Sequence, residues 1–214
     1  MKNTVELISV FGDDLMVVNA ARVSFGKEKS EFGESDAKLI KYLVDHGHTS
    51  VFRHPQLQFR ISCPIYVERQ LFKHQVGISV NSISGRYVDF SDSYTHITEW
   101  RKQSKSSKQG SDGLIENQDA CSKLELEVIE FCKHRYDKLL DLGVSKEQAR
   151  TILPLNLNTT FIWTGSLLAF LHLIDLRLKP DAQQETQVVA RQMLELVENI
   201  EGNPFKHTLE AWKK

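Results

Sequence analysis

The sequence predicts one α+β domain over residues 1–214, a β-sheet flanked by helices, and three observations carry that expectation. Residues 56–63, QLQFRISC, alternate without a break. Leu57, Phe59, Ile61 and Cys63 fall on one side and Gln56, Gln58, Arg60 and Ser62 on the other, the pattern of a strand with one buried face. Several other stretches repeat apolar residues at helical spacing instead. Neither an internal repeat nor a break in composition divides the chain, and 214 residues suffice for one sizeable core.

In chain order, VELISVFG (5–12) reads as a short strand ending in a turn. Asp13 and Asp14 then stand where a helix N-terminus favours acids, ahead of LMVVNAARVS. A second helix is expected from about Asp36 to His46, with Leu39, Ile40, Leu43 and Val44 as its apolar stripe and Gly47 closing it. Pro64 ends the alternating strand and suits the first turn of a helix over IYVERQLFKHQ. The polar stretch near 91–118 predicts an insertion, either a mobile loop over a site or a plain surface excursion. A long helix is expected over 121–143, and a capping box of Ser145 and Gln148 starts the next, which Pro154 stops. An apolar helix is expected from about Thr160 to Leu176, and a last amphipathic helix carries Val188, Val189, Met193, Leu196, Val197 and Ile200.

The formal net charge of −1 leaves no global basic field for nucleic acid, so any anion site must come from local arginines. No apolar run approaches the roughly 20 residues of a membrane span. Acidic residues come too early after Met1 for a signal peptide. Cys63, Cys121 and Cys132 form neither CxxC spacing nor an even disulfide set. A cytoplasmic protein in a reducing compartment is expected.

Three segments concentrate chemistry. In 68–90, Arg69, Lys73, His74 and Arg86 supply charge, Ser79, Asn81, Ser82 and Ser84 supply short donors, and Gly77 and Gly85 permit close approach to the backbone. That set suits a phosphate, although a polar helix-to-loop junction has the same composition. In 149–177, Arg150 needs a partner or a route to solvent beside its apolar run. His172 reads as a satisfied core histidine, and Arg177 as either a helix-end cation or a group that polarises a bound carbonyl or anion. In HGHTSVFRH (46–54), three histidines lack the carboxylates or cysteines of a zinc or iron site. No metal is expected there, and a loop placing His48 and Ser50 beside a ligand fits better. With no GxGxxG, P-loop or GxSxG, an ordinary Rossmann cofactor site is not expected.

Taken in order, these segments resemble the flavin-dependent thymidylate synthases. That family carries an Arg-His-Arg motif followed at short spacing by Ser, a small residue, Arg and Tyr, which here reads KHQVGISVNSISGRY (73–87). AARVS (20–24), HGHTSVFRH (46–54), RQLFKH (69–74), ARTILPLNLNT (149–159), WTGSL (163–167) and LR before DAQQE (176–185) match in the same order. Only about 91–144 lies outside the match. Lys73 and Gln75 replace the two arginines of the motif, and Arg53 stands where many relatives have glutamate. Lysine keeps the charge of arginine but loses its bidentate fork.

The resemblance implies reductive methylation of dUMP to dTMP, with 5,10-methylenetetrahydrofolate as carbon donor and NADPH as reductant through FAD. It implies that Gln70, Lys73, Ser82, Ile83, Ser84, Gly85, Arg86, Arg150 and Arg177 contact dUMP. It matches Ser24, His48, Ser50, Lys73, His74, Asn81, Ser166 and His172 to FAD contacts. Arg177, His48 and Ser84 are the residues expected nearest the chemistry, with Arg177 polarising the uracil and no cysteine nucleophile needed. A homotetramer with active sites where subunits meet is also implied. The apolar faces of 160–176, more than one monomer should cover, fit that assembly. Two alternatives stay open: a non-catalytic nucleotide-binding module, motivated by Lys73 and Gln75, and a single-stranded nucleic-acid binder using Lys73, Arg86 and the lysines of 102–108.

Overall fold

The computed structural model describes residues 3–89, 91–106 and 108–213. Strand β1 (Thr4–Phe11) leads into helix α1 (Asp14–Arg22) and then α2 (Glu34–Asp45). Strand β2 (Gln56–Pro64) is followed by α3 (Ile65–Leu71) and strand β3 (Ile78–Ser82). A hairpin of β4 (Arg101–Gln103) and β5 (Ser111–Leu114) precedes the long α4 (Gln118–Asp141) and the short α5 (Lys146–Ala149). Strand β6 (Asn158–Ser166) runs into α6 (Leu167–Arg177), followed by α7 (Gln184–Glu198) and α8 (Lys206–Trp212).

Four strands form an antiparallel sheet in the order β1-β2-β6-β3. The alternation of 56–63 puts Leu57, Phe59, Ile61 and Cys63 in the core, as expected. Directly across from them, Trp163 faces Phe59 and Phe161 faces Ile61. Helices α3, α6 and α7 cover this face, bringing Val67, Leu71, Phe170, Leu171, Val189 and Met193 into one cluster. On the other face the central strands meet through polar groups: Gln58 Nε2 donates to Thr164 Oγ1 at 2.8 Å, and Thr160 Oγ1 to Ser62 Oγ at 3.2 Å.

Residues 158–166 form the central strand rather than the first half of a helix. Both edges of β6 are paired, and its buried side chains alternate as a strand requires. The helix begins only at Leu167, where Ser166 Oγ accepts from Ala169 N at 3.3 Å. This also removes the apolar excess that pointed to assembly, because Phe161, Trp163, Leu167, Phe170, Leu171, Leu173 and Ile174 are all buried within one chain.

Other boundaries shift for local reasons. Helix α3 stops at Leu71 instead of continuing to Gln75, with Phe72 N and His74 N closing onto Glu68 O and Leu71 O. Ser145 caps α5 without a side-chain bond, so the capping box is absent; Gln148 N donates to the Ser145 carbonyl instead. The polar insertion contains the β4–β5 hairpin, which the sequence did not announce; Ser107, within it, lies outside the described residues.

A second cluster joins α1, α2, the 49–53 turn and α6 through Val17, Val18, Ile40, Leu43, Val51, Phe52 and Leu168, with Ala211 and Trp212 of α8 packed against it. Asp13 caps α1, accepting from Met16 N at 2.8 Å. Asp14, buried, accepts from His207 N at 2.7 Å and Thr208 Oγ1 at 2.6 Å, tying α1 to the start of α8. Among the described residues no helix is long and apolar enough to cross a membrane.

Candidate active site

The aromatic core fixes where the motif residues emerge. Phe72 packs edge-on against Phe161, with ring centroids 4.9 Å apart, so the residues after it leave α3 at the sheet's covered face. Phe170 packs edge-on against Phe59 at 5.0 Å and Trp163 at 5.7 Å, which sets the direction of α6. The last turn of α6 therefore brings Arg177 against the end of α3. Its Nε donates to His74 Nε2 at 3.0 Å and its Nη2 to the Gln70 carbonyl at 2.8 Å.

These contacts fix protonation. A guanidinium can only donate, so His74 Nε2 must be the unprotonated ring nitrogen and Nδ1 carries the proton. Burial, then the charges of Arg177 and His172, hold the His74 imidazole below its ordinary value. Burial also lowers the pKa of Arg177. The result is a neutral imidazole beside a partly desolvated cation.

Gln70, Lys73 and Arg177 line one cavity of about 540 Å³, with Arg69, Lys179 and Gln183. Arg69, Lys73 and Lys179 make no ion pair among the described residues, and Asp181 is the single carboxylate of the lining. Four cations against one acid make the cavity suited to an anion. Gln109, Lys179, Asp181 and Gln183 were not singled out by the sequence. The one signal available was the DAQQE match, which contains Asp181 and Gln183.

The other expected site residues stand elsewhere on the chain. Asn81 and Ser82 lie on the edge strand β3, where Asn81 pairs with Ile162 and Ser82 with Phe161. Ile83 N donates to the Thr160 carbonyl at 2.8 Å, extending that edge. Next, Ser84 Oγ accepts from Arg86 N at 3.3 Å, Gly85 is buried, and the exposed Arg86 stacks its guanidinium 5.2 Å from the Tyr87 ring centroid. Arg150 is exposed, and its Nε donates to the Glu147 carbonyl at 3.4 Å. Ser24 is exposed in a short 3-10 turn after α1.

His48 and Ser50 are exposed where α2 ends, and the rings of Tyr42, His46 and His48 stack there, with Tyr42 and His46 4.0 Å apart. His172 is exposed rather than a core histidine, since it points off the outer side of α6 toward Trp212, 5.5 Å between ring centroids. Ser166 is buried at the α6 N-cap, beside Gly77. Among the described residues no group of three or more His, Cys, Asp or Glu is placed to hold a metal ion.

Residues 6–201 match the family model described as thymidylate synthase complementing protein. A flavin-dependent thymidylate synthase from Thermus thermophilus is 41% identical over 196 residues, covering 92% of this chain and 72% of the relative. The chain belongs to the flavin-dependent thymidylate synthase family. A second relative of that name, from Kosmotoga olearia, is 40% identical over 192 residues, covering 88% of this chain and 82% of its own. The fold is similar to a UMP/dUMP methylase, PolB, from Streptomyces cacaoi, solved with 5-Br dUMP: TM-score 0.86, 29% identity, 99% of this chain and 94% of that one.

Within this flavin-dependent thymidylate synthase family member, no thiol is poised as a nucleophile among the motif residues. Cys63 is buried on the covered face of β2, and burial, reinforced by Glu68, pushes its thiol up to about 12.

Proposed function

We propose that the protein converts dUMP to dTMP by reductive methylation, using FAD, NADPH and 5,10-methylenetetrahydrofolate. The cavity shared by Gln70, Lys73 and Arg177 carries this reading, because three of the positions matched to dUMP contacts converge there on cationic surface. The His74 bond and the Gln70 carbonyl leave the remaining N–H groups of Arg177 available to a ligand oxygen. A partly desolvated guanidinium there stabilises charge on a uracil oxygen as C5 becomes nucleophilic. Lys73 supplies charge for a phosphate without the fork of an arginine. On this reading Ser84, with its hydroxyl already turned toward the Arg86 amide, and His48 also border the reacting groups.

The donor set matched to FAD fits that group. His48, His74 and His172 offer imidazoles, Ser24, Ser50 and Ser166 offer hydroxyls, Asn81 offers an amide and Lys73 a cation. Neutral donors suit an isoalloxazine edge, the cation suits a diphosphate, and the stacked rings of Tyr42, His46 and His48 present flat surface to a flat ligand. Bound flavin would supply the hydride that completes the methyl group, and the protein would bind and orient the reactants.

A homotetramer with shared active sites belongs to the same reading, now on different grounds. Arg150 and Ser84 to Arg86 do not line the cavity of Gln70 and Arg177, so a second copy would have to bring them to it. Helix α4 carries Leu124, Val128 and Phe131 on one stripe at 61%, 52% and 59% exposure, an apolar face unlike that of an isolated chain. The chain's three free cysteines suit the reducing cytoplasm.

The deciding experiment loads the protein with FAD, removes excess by gel filtration and adds NADPH anaerobically with and without dUMP. Bleaching of the flavin that dUMP accelerates, followed by dTMP on adding methylene-folate, is the expected result. Loss of flavin and indifference to dUMP would leave a nucleotide-binding module as the better description.

A further inference from the structure

We propose that Gln109, at the far end of the β4–β5 hairpin, is a ligand-binding residue of the cationic cavity, and that the Arg101–Glu185 ion pair positions it. This rests on the reading of that cavity as the dUMP site. Gln109 lines it together with Arg69, Lys73 and Arg177, although some 36 residues separate it from Lys73 along the chain.

The hairpin is built to hold that place. At its base Gln118 brackets the chain, accepting from Trp100 N at 2.7 Å and donating to the carbonyls of Trp100 and Ile115, each at 2.8 Å. Across it, Arg101 Nε donates to Ser111 Oγ at 2.9 Å. At the turn, Gln103 Nε2 donates to the carbonyls of Lys108 and Gly110 at 3.2 and 3.1 Å, on either side of Gln109. Arg101 Nη2 then reaches Glu185 Oε1 at 2.5 Å in the first turn of α7, with both side chains largely shielded from solvent.

Glu185 joins the hairpin to the cavity wall. Its Oε2 accepts from Gln183 Nε2 at 2.8 Å, and Gln183 Oε1 accepts from Gln70 Nε2. Gln70 Oε1 accepts in turn from Thr186 Oγ1 at 3.0 Å. Burial works against ionisation of Glu185, but bonds from Arg101 and Gln183 hold its carboxyl below the usual range, so it stays charged.

Three amides line the cavity, and this relay engages two of them at both ends. The Gln109 amide makes no hydrogen bond among the described residues. Both of its donors are free for an anionic ligand held by Lys73 and Arg69. An amide is a weaker anchor than a cation but adds direction to their charge.

The test titrates FAD-loaded protein with dUMP by calorimetry. Gln109→Ala should weaken binding about tenfold, the scale of one hydrogen bond to a charged group. Gln109→Glu should weaken it further, with the gap to Gln109→Ala narrowing at high salt. Arg101→Ala should weaken dUMP in the same direction, Arg101→Lys should recover part of the loss, and the double variant Arg101→Ala/Gln109→Ala should lose little beyond either single one. Wild-type protein that ignores dUMP would overturn the reading of the cavity and this inference with it. Wild-type binding with an unchanged Gln109→Ala would overturn the role of Gln109 alone. Additive losses in the double variant would overturn the positioning role of Arg101.

Discussion

Arg177 Nε lies 3.0 Å from His74 Nε2, a bond across 103 residues of chain that joins the last turn of α6 to the end of α3. It pins the guanidinium to the motif histidine and leaves its other edge to the cavity. Arg177→Ala should lower turnover about 10²–10³-fold, the loss seen when one charge-stabilising donor is removed. FAD retention should change little. Steady-state dTMP formation beside flavin absorbance after gel filtration separates the two, and near-normal turnover would refute the role.

The same bond sets a pH dependence. His74 accepts from Arg177 only while its Nε2 is unprotonated, and its folded pKa lies below the ordinary 6.5. The unfolded chain therefore takes up the proton first as the solution is acidified. The stability this contact contributes is fully present above about pH 6.5 and is lost as pH falls through the lower folded value. His74→Phe lacks the contact at every pH. Denaturant unfolding of both proteins from pH 8 to 5 should show their stability difference shrinking only on the acid side, and a constant difference would contradict the assignment.

Cys63 tests the absence of a protein nucleophile. Its thiol is fully buried and raised to about 12, so it stays protonated and out of contact with solvent. Cys63→Ala should keep dTMP formation within about twofold while costing about 1 kcal/mol for the small cavity left behind. A complete loss of turnover in a folded variant would point to covalent chemistry instead.

Gly165 is where the strand β6 must pass closest to its neighbour. A Cβ there would stand 2.8 Å from Ile78 Cγ1 and 2.9 Å from the Gly77 carbonyl oxygen. The backbone carbonyl cannot swing aside as a side chain could. Gly165→Ala should destabilise by about 1–3 kcal/mol, the range for overpacking, and displace β3 with Asn81 and Ser82, the positions matched to FAD and dUMP contacts. Thermal unfolding and dUMP affinity should fall together.

How much of this was legible depended on periodicity. Strand β2 and helix α7 each have one wet face, so Leu57 to Cys63 and Val189 to Val197 declare their periods. Strand β6 has the same half-buried face as β2, but Ile162 occupies it between Phe161 and Trp163 and the strand runs straight into a buried helix, so FIWTGSLLAF offers an apolar run without a clear period. The β-branched Thr159, Thr160 and Ile162 and the helix-capping Ser166 were the available signals for a strand ending there. Strand β3 was hidden for the opposite reason: at the sheet edge, most of its residues are exposed and polar. In the site, Gln70, Lys73, His74 and Arg177 stood in motifs, whereas Gln109 and Lys179 come from connections whose approach to the cavity has no local sequence cause.

The stripe of Leu124, Val128 and Phe131 on α4 is an apolar surface that a second copy could cover. These residues recur at i, i+4 and i+7, so they share one side of the helix, while Ile129 and Tyr136 turn the other side into the protein. Burying the exposed half or so of three such side chains against another copy would gain a few kcal/mol, roughly half of the 1.5–3 kcal/mol for each full burial, before the cost of association. Because each chain here lacks Arg150 and Arg86 in the cavity of Arg177, assembly and activity should be linked. Val128→Asp should shift the mass in light-scattering chromatography toward smaller species and lower dTMP formation in parallel. The monomer fold should persist, since Val128 contributes little to the core. A variant that remains fully assembled would move the interface to another face, and one that dissociates with full activity would show that a single chain completes its own site.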